Sequence, residues 1–238
     1  MKFVLSGEGP TDIGKIDYAT RSFDPGPMAY FIDAVVREKT GVSPLETLST
    51  DGNVIHFIHK TELSDQEINK KAVLPGKKSP LGTAYFIKNS RALGHIAKEI
   101  ASKTGSPTIA VLFRDADPTR AQDTYEDKWR SMIIGFKQAG FDRGVPMIPR
   151  QIMEAWLLDS LDWQGKSHPD FDTVIGGRHS AYPYKKQVSE LVGQTDQHNL
   201  VDQVLNSTFD QSRITSDSYK RFKARLEDVL VTPDRDSK

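Results

Sequence analysis

The chain has 238 residues, with 32 basic and 32 acidic side chains and therefore a formal net charge of zero at pH 7. A neutral chain has no overall field that attracts nucleic acid or anionic lipid, so an anionic partner must be held by a local patch. The absence of cysteine excludes disulfides, thiolate zinc sites and cysteine nucleophiles, and it fits a reducing compartment. With no secretory pattern at the N-terminus and no apolar run of about 20 residues, we expect a cytoplasmic protein without membrane contact.

Apolar runs and helical spacing predict alternating strands and helices up to about residue 150. In chain order we predict a strand over residues 3–6, a polar loop over 11–27, a helix over 28–39, a strand over 53–59, a polar connection over 61–81, a helix over 83–104, a strand over 108–113, a helix over 121–139 and a strand over 145–148. Pro146 places the last strand at an edge or a strand end, because proline cannot donate to a sheet.

The pattern changes after residue 149. A compact helix is predicted to begin near Pro149 and to carry Glu154 about one and a half turns inside it. Residues 164–183 form a polar loop in this interpretation, and helical patterns follow over 185–192 and 217–230. We therefore predict an α/β fold, a mostly parallel sheet with helices on both faces, over residues 1–160. Residues 161–238 are predicted to be a loop and helical extension packed on it.

Acidic residues follow two of the predicted strands directly. The first strand leads into Gly7-Glu8-Gly9-Pro10-Thr11-Asp12, and the strand over 108–113 leads into Arg114-Asp115-Ala116-Asp117. The carboxyl ends of parallel strands are where open α/β sheets bind ligands. Converging carboxylates raise one another's pKa unless a cation lies between them, and such hard oxygen ligands suit Mg²⁺ or Mn²⁺. The pattern favours metal-dependent phosphodiester chemistry on Glu8, Asp115 and Asp117, the alternative being that the two aspartates cap the next helix.

These two motifs resemble those of the Toprim domain, which topoisomerases, DnaG-type primases and the overcoming-lysogenization-defect (OLD) nucleases share. The form around Glu8 is most similar to the OLD-like Toprim nucleases of bacterial defence loci, and the likeness covers residues 1–160. It implies a Rossmann-like fold and a divalent-metal-dependent nuclease of DNA or RNA, with a role in anti-phage defence. It also implies that Glu8 binds metal or acts as general acid/base, and that Asp115 and Asp117 are metal ligands.

Further site residues follow from the same resemblance. Nuclease members place additional acids downstream for a second metal about 3.5–4 Å from the first, and Glu154 is the candidate for that role. Asp12 is a candidate for a further metal ligand. The cation that stabilises the transition state is to be sought among Arg114, Lys185 and Lys186, since nuclease members use a lysine that no motif here identifies. Arg114 has a competing explanation, a salt bridge to a neighbouring aspartate.

Other functions remain open at this point. Residues 9–15 have the spacing of a phosphate-binding P-loop of an NTPase, but Ile16 replaces the hydroxyl that would bind Mg²⁺ and Pro10 removes one amide donor. A haloacid-dehalogenase-like phosphatase would use Asp115 as its nucleophile, but the downstream acidic motif of that family is missing. The third alternative is a Toprim-fold partner subunit without catalytic activity.

The expected partners follow from the resemblance and from the charge. OLD-like nucleases are often fused to, or encoded beside, an ABC-type ATPase, so the resemblance implies a separate ATPase partner. Zero net charge favours a partner or a homo-oligomer as an aid to binding the nucleic-acid substrate.

Overall fold

The computed structural model describes residues 1–17, 19–20, 22–48, 51, 53–68, 83–116, 124–164, 169–173 and 183–232. Its strands are β1 (Lys2–Ser6), β2 (Gly14–Ile16), β3 (Phe23–Pro25), β4 (Ile55–Phe57), β5 (Thr108–Phe113) and β6 (Gly144–Met147). Its α-helices are α1 (Pro27–Thr40), α2 (Pro44–Leu48), α3 (Lys60–Ile68), α4 (Ala84–Thr104), α5 (Tyr125–Gln138), α6 (Met153–Asp159), α7 (Tyr184–Val192), α8 (Gln197–Leu205) and α9 (Asp217–Val231). A short 3₁₀ helix covers Gln211–Arg213.

Four strands form a parallel sheet in the order β4-β1-β5-β6. The two central strands pair with Val4 opposite Ala110, and Ala110 lies opposite Gly144 of β6 in turn. The expected position of the proline-containing strand at the sheet edge is confirmed. All four strands run in one direction, so their carboxyl ends lie along a single edge.

Helices cover both faces of the sheet, because side chains alternate along each strand. On β5, Ile109, Val111 and Phe113 belong to a core shared with α1, α6, α7 and α9. Ala110 and Leu112 belong to a second core built with α4 and α5. The predicted α/β fold, a parallel sheet between two helical layers, is confirmed and is consistent with a Rossmann-like arrangement.

The C-terminal helix α9 shares its core with α6. The fully buried indole of Trp156 lies 5.8 Å from the ring of Phe222, centroid to centroid, and meets the edge of Tyr219 at 5.3 Å. Trp156 Nε1 also donates a hydrogen bond to Ser218 Oγ at 2.9 Å. Residues on both sides of position 160 therefore pack into one continuous apolar cluster. The division of the chain at that position stays a prediction.

The polar loop predicted over residues 11–27 contains an antiparallel hairpin of β2 and β3. Gly14 begins this hairpin with φ +125°, a conformation that side chains rarely adopt. A Cβ at this position would overlap the carbonyl oxygen of Asp24. Apolar alternation is absent from such short strands, which is why the sequence pattern missed them.

Other boundaries also differ from the prediction. The connection predicted over residues 61–81 begins with helix α3, while residues 69–82 lie outside the described residues. Helix α8 was not predicted, although Asp196 caps it by accepting hydrogen bonds from His198 N and Asn199 N. Most of the predicted loop over 164–183 and the first residues of the helix predicted over 121–139 also lie outside that description. Among the described residues, no helix combines the length and the apolar character needed to span a bilayer.

Candidate active site

Three acidic side chains follow neighbouring strands at the carboxyl edge of the sheet. Glu8 comes two residues after β1, Asp115 two residues after β5, and Glu154 is the second residue of α6, which follows β6. Because β1, β5 and β6 are adjacent and parallel, these residues share one edge. Glu8 and Asp115, two of the three acids predicted to meet at the end of the sheet, therefore follow adjacent strands, and the meeting of these acids with Asp117 stays a prediction.

The turn that presents Glu8 is held by Asp12. Asp12 Oδ2 accepts hydrogen bonds from the backbone amides of Glu8 at 3.1 Å and Gly9 at 2.8 Å. Burial raises the pKa of Asp12, and these two amide hydrogen bonds oppose that effect. One carboxylate oxygen of Asp12 is thus engaged in shaping the turn, so its first role is to position Glu8.

Asp115 connects the Glu8 turn to the helix that carries Glu154. Its Oδ1 accepts a hydrogen bond from Met153 N at 2.9 Å, and its own backbone amide lies within hydrogen-bonding reach of the Glu8 carboxylate. Helix α6 has no side-chain cap from its own N-cap residue, Ile152. Asp115, in the loop after β5, takes that place, because a carboxylate at a helix N-terminus satisfies a free amide and interacts favourably with the helix dipole.

The start of α6 corrects one prediction. The helix begins at Met153, not near Pro149, so Glu154 lies in the first turn instead of one and a half turns inside. The sequence pattern failed because proline favours the first turn of a helix, which predicts a start near Pro149, while the backbone is still extended at Ile152. Glu154 is 6% exposed, so its carboxylate is largely withdrawn from solvent.

The carboxyl groups of this cluster have raised pKa values. Burial raises the pKa of Asp115 well above its usual range, and the charges of Glu8, Glu154 and Asp12 raise it further. Burial also raises the pKa of Glu8 and of Glu154, with positive charges at Arg114 and Lys185, respectively, opposing the effect. Buried like charges of this kind are stabilised by protonation or by a cation that binds among them.

The three predicted cations occupy different environments. Lys185 Nζ lies 3.8 Å from Glu154 Oε1, and its charge also lowers the pKa of Asp12. Lys186 Nζ pairs instead with Glu190 Oε1 at 3.6 Å, along the exposed side of α7. The structure therefore brings Lys185, and not Lys186, to the acidic cluster.

Arg114 is fully buried beside the same cluster. Its exposure is 0%, and its Nη1 donates to the carbonyl of Phe113 at 2.6 Å. Among the described residues, its Nε and Nη2 atoms have no hydrogen-bond partner, while the ring of Tyr85 lies 5.7 Å from the guanidinium carbon. Its charge lowers the pKa of Glu8 and Asp12. A side chain without solvent exposure acts on the site as a fixed counter-charge.

A third cation near the site, Lys60, was missed by the sequence analysis. Lys60, at the start of α3, lowers the pKa of Glu8 through its charge. It follows β4, the neighbour of β1, and therefore lies at the same edge as the acids. The order of strands and helices could have identified Lys60, because residues that directly follow a strand of a parallel sheet lie at its carboxyl edge.

The fit of the cluster to a divalent cation rests on donor type. Within the described ranges of the chain, no group of three or more histidine and acidic side chains is arranged to hold a metal ion. Asp117, the remaining predicted ligand, lies outside the described residues. The donors present are carboxylates with raised pKa values. Mg²⁺ and Mn²⁺ prefer such oxygen ligands, and a bound cation would stabilise their charged form.

The structure argues against a P-loop over residues 9–15. A P-loop leads directly into a helix whose N-terminal amides bind phosphate. Here residues 14–16 form strand β2, and Lys15 Nζ lies 3.6 Å from Asp24 Oδ2 on the paired strand. Lys15 is therefore engaged in the hairpin instead of pointing a free ammonium at a phosphate.

Comparison of the chain with family models, with curated proteins and with solved structures gives no match. The likeness to Toprim nucleases therefore rests on the motifs around Glu8 and Asp115.

Proposed function

We propose that the protein is a divalent-metal-dependent nuclease that hydrolyses phosphodiester bonds of DNA or RNA. The observation that carries this proposal is that Glu8, Asp115 and Glu154 reach one sheet edge from three neighbouring parallel strands. Neighbouring buried carboxylates are costly to ionise, and a cation bound among them lowers that cost. The resemblance of the motifs to OLD-like Toprim nucleases supports the same chemistry.

In the proposed reaction, a water oxygen attacks phosphorus in line with the leaving oxygen. One P–O bond forms and one breaks, while the water proton passes to a carboxylate and the leaving oxygen takes a proton from solvent. Glu8, Asp115 and Asp117 would hold Mg²⁺ or Mn²⁺, with Glu154 and Asp12 as further ligands. A bound divalent cation supplies charge neutralisation on phosphate and a lower pKa for water.

Lys185 is the proposed transition-state cation. It is 76% exposed at its side chain and lies 3.8 Å from Glu154, so a phosphate at the cluster is within its range of movement. Arg114, in contrast, is fully buried, and its positive charge partly compensates the negative charges of Glu8 and Asp12. Lys186 has no role in the proposed mechanism.

The proposed biological setting comes from the resemblance and from the composition and charge of the chain. It comprises anti-phage defence in the cytoplasm, with a separate ABC-type ATPase or a homo-oligomer assisting the nuclease. The neutral chain supports the need for such assistance, because phosphate neutralisation dominates nucleic-acid affinity.

A cleavage assay tests the proposal. Plasmid DNA and single-stranded RNA are incubated with the protein in Mg²⁺, in Mn²⁺ or in EDTA. We expect metal-dependent cleavage that Glu8→Gln and Asp117→Asn abolish, while Glu46→Gln, an exposed acid paired with Arg37, leaves it unchanged. Lys15→Ala also retains activity. Absence of cleavage of both substrates in either metal contradicts the proposal and favours a non-catalytic partner subunit.

A further inference from the structure

Two arginines lie against buried aromatic rings on the α5 side of the molecule. The guanidinium carbon of Arg150 lies 4.8 Å from the ring centroid of Tyr125, and that of Arg221 lies 5.6 Å from the same centroid. Arg221 also lies 4.3 Å from the ring centroid of Trp129. We call these residues, Tyr125, Trp129, Arg150 and Arg221, the arginine–aromatic patch.

The patch exposes its charges and buries its rings. Tyr125 and Trp129 are 8% and 7% exposed, whereas the side chains of Arg150 and Arg221 are 40% and 34% exposed. Contact with an aromatic face fixes the plane of a guanidinium and leaves its N–H edge available. A fixed, exposed guanidinium is suited to binding phosphate through two parallel hydrogen bonds.

The segment that carries Arg150 runs beside the candidate active site. At one end of the segment, Pro149 O accepts a hydrogen bond from Ala116 N at 3.2 Å. At the other end, Met153 N donates to Asp115 Oδ1 at 2.9 Å. The backbone segment that carries Arg150 is therefore tied at both ends to residues 115 and 116, through one backbone–backbone bond and one bond to the Asp115 side chain.

The contact between Arg150 and its acidic partner is long. Arg150 Nε is buried, lies 3.9 Å from Asp172 Oδ2, beyond hydrogen-bonding distance, and has no hydrogen-bond partner among the described residues, so the 40% exposure of this side chain comes from its other atoms. Asp172 is itself engaged, because it accepts hydrogen bonds from Ser218 N at 2.8 Å and Ser218 Oγ at 2.6 Å.

Arg221 pairs with Glu126, whose side chain is half-exposed, at 2.7 Å. A surface ion pair of this kind contributes little to stability, so phosphate can replace Glu126 at low cost.

We propose that the arginine–aromatic patch binds the phosphodiester backbone of the substrate strand beside the cleaved phosphate. This inference rests on the proposed nuclease function and names the surface that holds its substrate. The patch recognises phosphate, so it contributes affinity without sequence preference. It also explains how a chain with zero net charge holds a polyanion locally.

Binding is measured by fluorescence anisotropy with fluorescein-labelled single-stranded DNA and RNA oligonucleotides in Ca²⁺ over a series of salt concentrations. We expect Arg150→Ala and Arg221→Ala each to weaken binding about tenfold. Each should also reduce the slope of log affinity against log salt by about 0.7, which is the slope that one neutralised phosphate of a single strand contributes. Lys220→Ala is the matched control, because Lys220 neighbours Arg221 on α9 and pairs with Asp217.

Thermal melting separates binding from folding, because Arg221 also ties α9 to α5. Arg221→Lys keeps the charge and loses the planar fork, so we expect weaker binding at an unchanged melting temperature. If wild type binds and cleaves while both alanine variants match Lys220→Ala, the patch is overturned and the nuclease function stands. If wild type binds through the patch but cleaves nothing, the nuclease function fails and the patch stands. Absence of binding to both oligonucleotides overturns both proposals.

Discussion

The ammonium group of Lys185 lies 3.8 Å from the carboxylate of Glu154, bridging helices α7 and α6. The region after residue 160 therefore contributes a cation to a cluster whose acids all come from the preceding part of the chain. Its neighbour Lys186 points to Glu190 on the same helix, which gives two adjacent lysines with contrasting surroundings.

This contrast predicts different effects of two neighbouring substitutions. Lys185→Ala should lower kcat for oligonucleotide cleavage by about 10²-fold, the usual cost of removing one group that stabilises transition-state charge. Lys186→Ala should leave kcat within about twofold of wild type, because its partner is Glu190. Single-turnover cleavage rates measure both variants. Equal losses in the two variants would rule out Lys185 as the transition-state cation.

The raised pKa of Asp115 predicts how stability depends on pH. Below the unfolded-state pKa, near 3.8, both states hold the proton and the contribution of Asp115 to the stability of the metal-free protein is fully present. As pH rises, the unfolded chain loses the proton first, so stability falls until pH passes the folded-state pKa. Asp115→Asn removes this titration and can still accept the Met153 hydrogen bond. We therefore expect it to melt at a higher temperature than wild type at neutral pH without metal, with the difference shrinking at acid pH.

Thermal denaturation across a pH series measures the effect, with about 2–4 °C corresponding to 1 kcal/mol in a domain of this size. Asp17→Asn is the control of opposite sign, because hydrogen bonds from the amides of Thr20 and Ala19 lower the pKa of Asp17. An Asp115→Asn variant that is less stable than wild type at neutral pH would contradict the repulsion described for the cluster.

A buried hydrogen-bond chain predicts that the contact between α9 and α6 contributes to stability. Ser218 Oγ accepts a hydrogen bond from Trp156 Nε1 at 2.9 Å and donates one to Asp172 Oδ1 at 2.6 Å. Ser218→Ala leaves both partners without that bond, which should cost about 1–3 kcal/mol in the free energy of unfolding. Urea denaturation measures the loss, and Ser212→Ala, at an exposed position, serves as the control. Equal stability of both variants would show that this chain of hydrogen bonds is dispensable.

The central part of the fold was predictable because its strands are uniformly apolar. Thr108–Phe113 was predicted with its observed bounds, since all six residues are buried between two helical layers. Helix α4 was predicted to within one residue, because Gly105 ends it in a left-handed conformation at φ 61°. Local sequence is sufficient wherever the pattern of burial and the terminating residue belong to the same segment.

Local sequence could not predict where α6 starts or which lysine approaches the acids, because both depend on contacts between residues far apart in the chain. The amide of Met153 is satisfied by Asp115, 38 residues away in sequence, so no local cap marks where the helix begins. Lys185 and Lys186 are equivalent in sequence, and only the packing of α7 beside α6 distinguishes them. Such interactions depend on the order of the strands, which local periodicity does not contain.

Mn²⁺ binding measured by isothermal titration calorimetry at neutral pH tests the central claim that the acids of this sheet edge share a divalent cation. We predict saturable binding to the wild-type protein and unchanged binding to Glu46→Gln. Binding to Asp115→Asn should be weaker by about tenfold or more, since a charged ligand typically contributes more than about 1.4 kcal/mol. A wild-type protein that binds no Mn²⁺, or an Asp115→Asn variant that binds it as tightly as wild type, would contradict the claim.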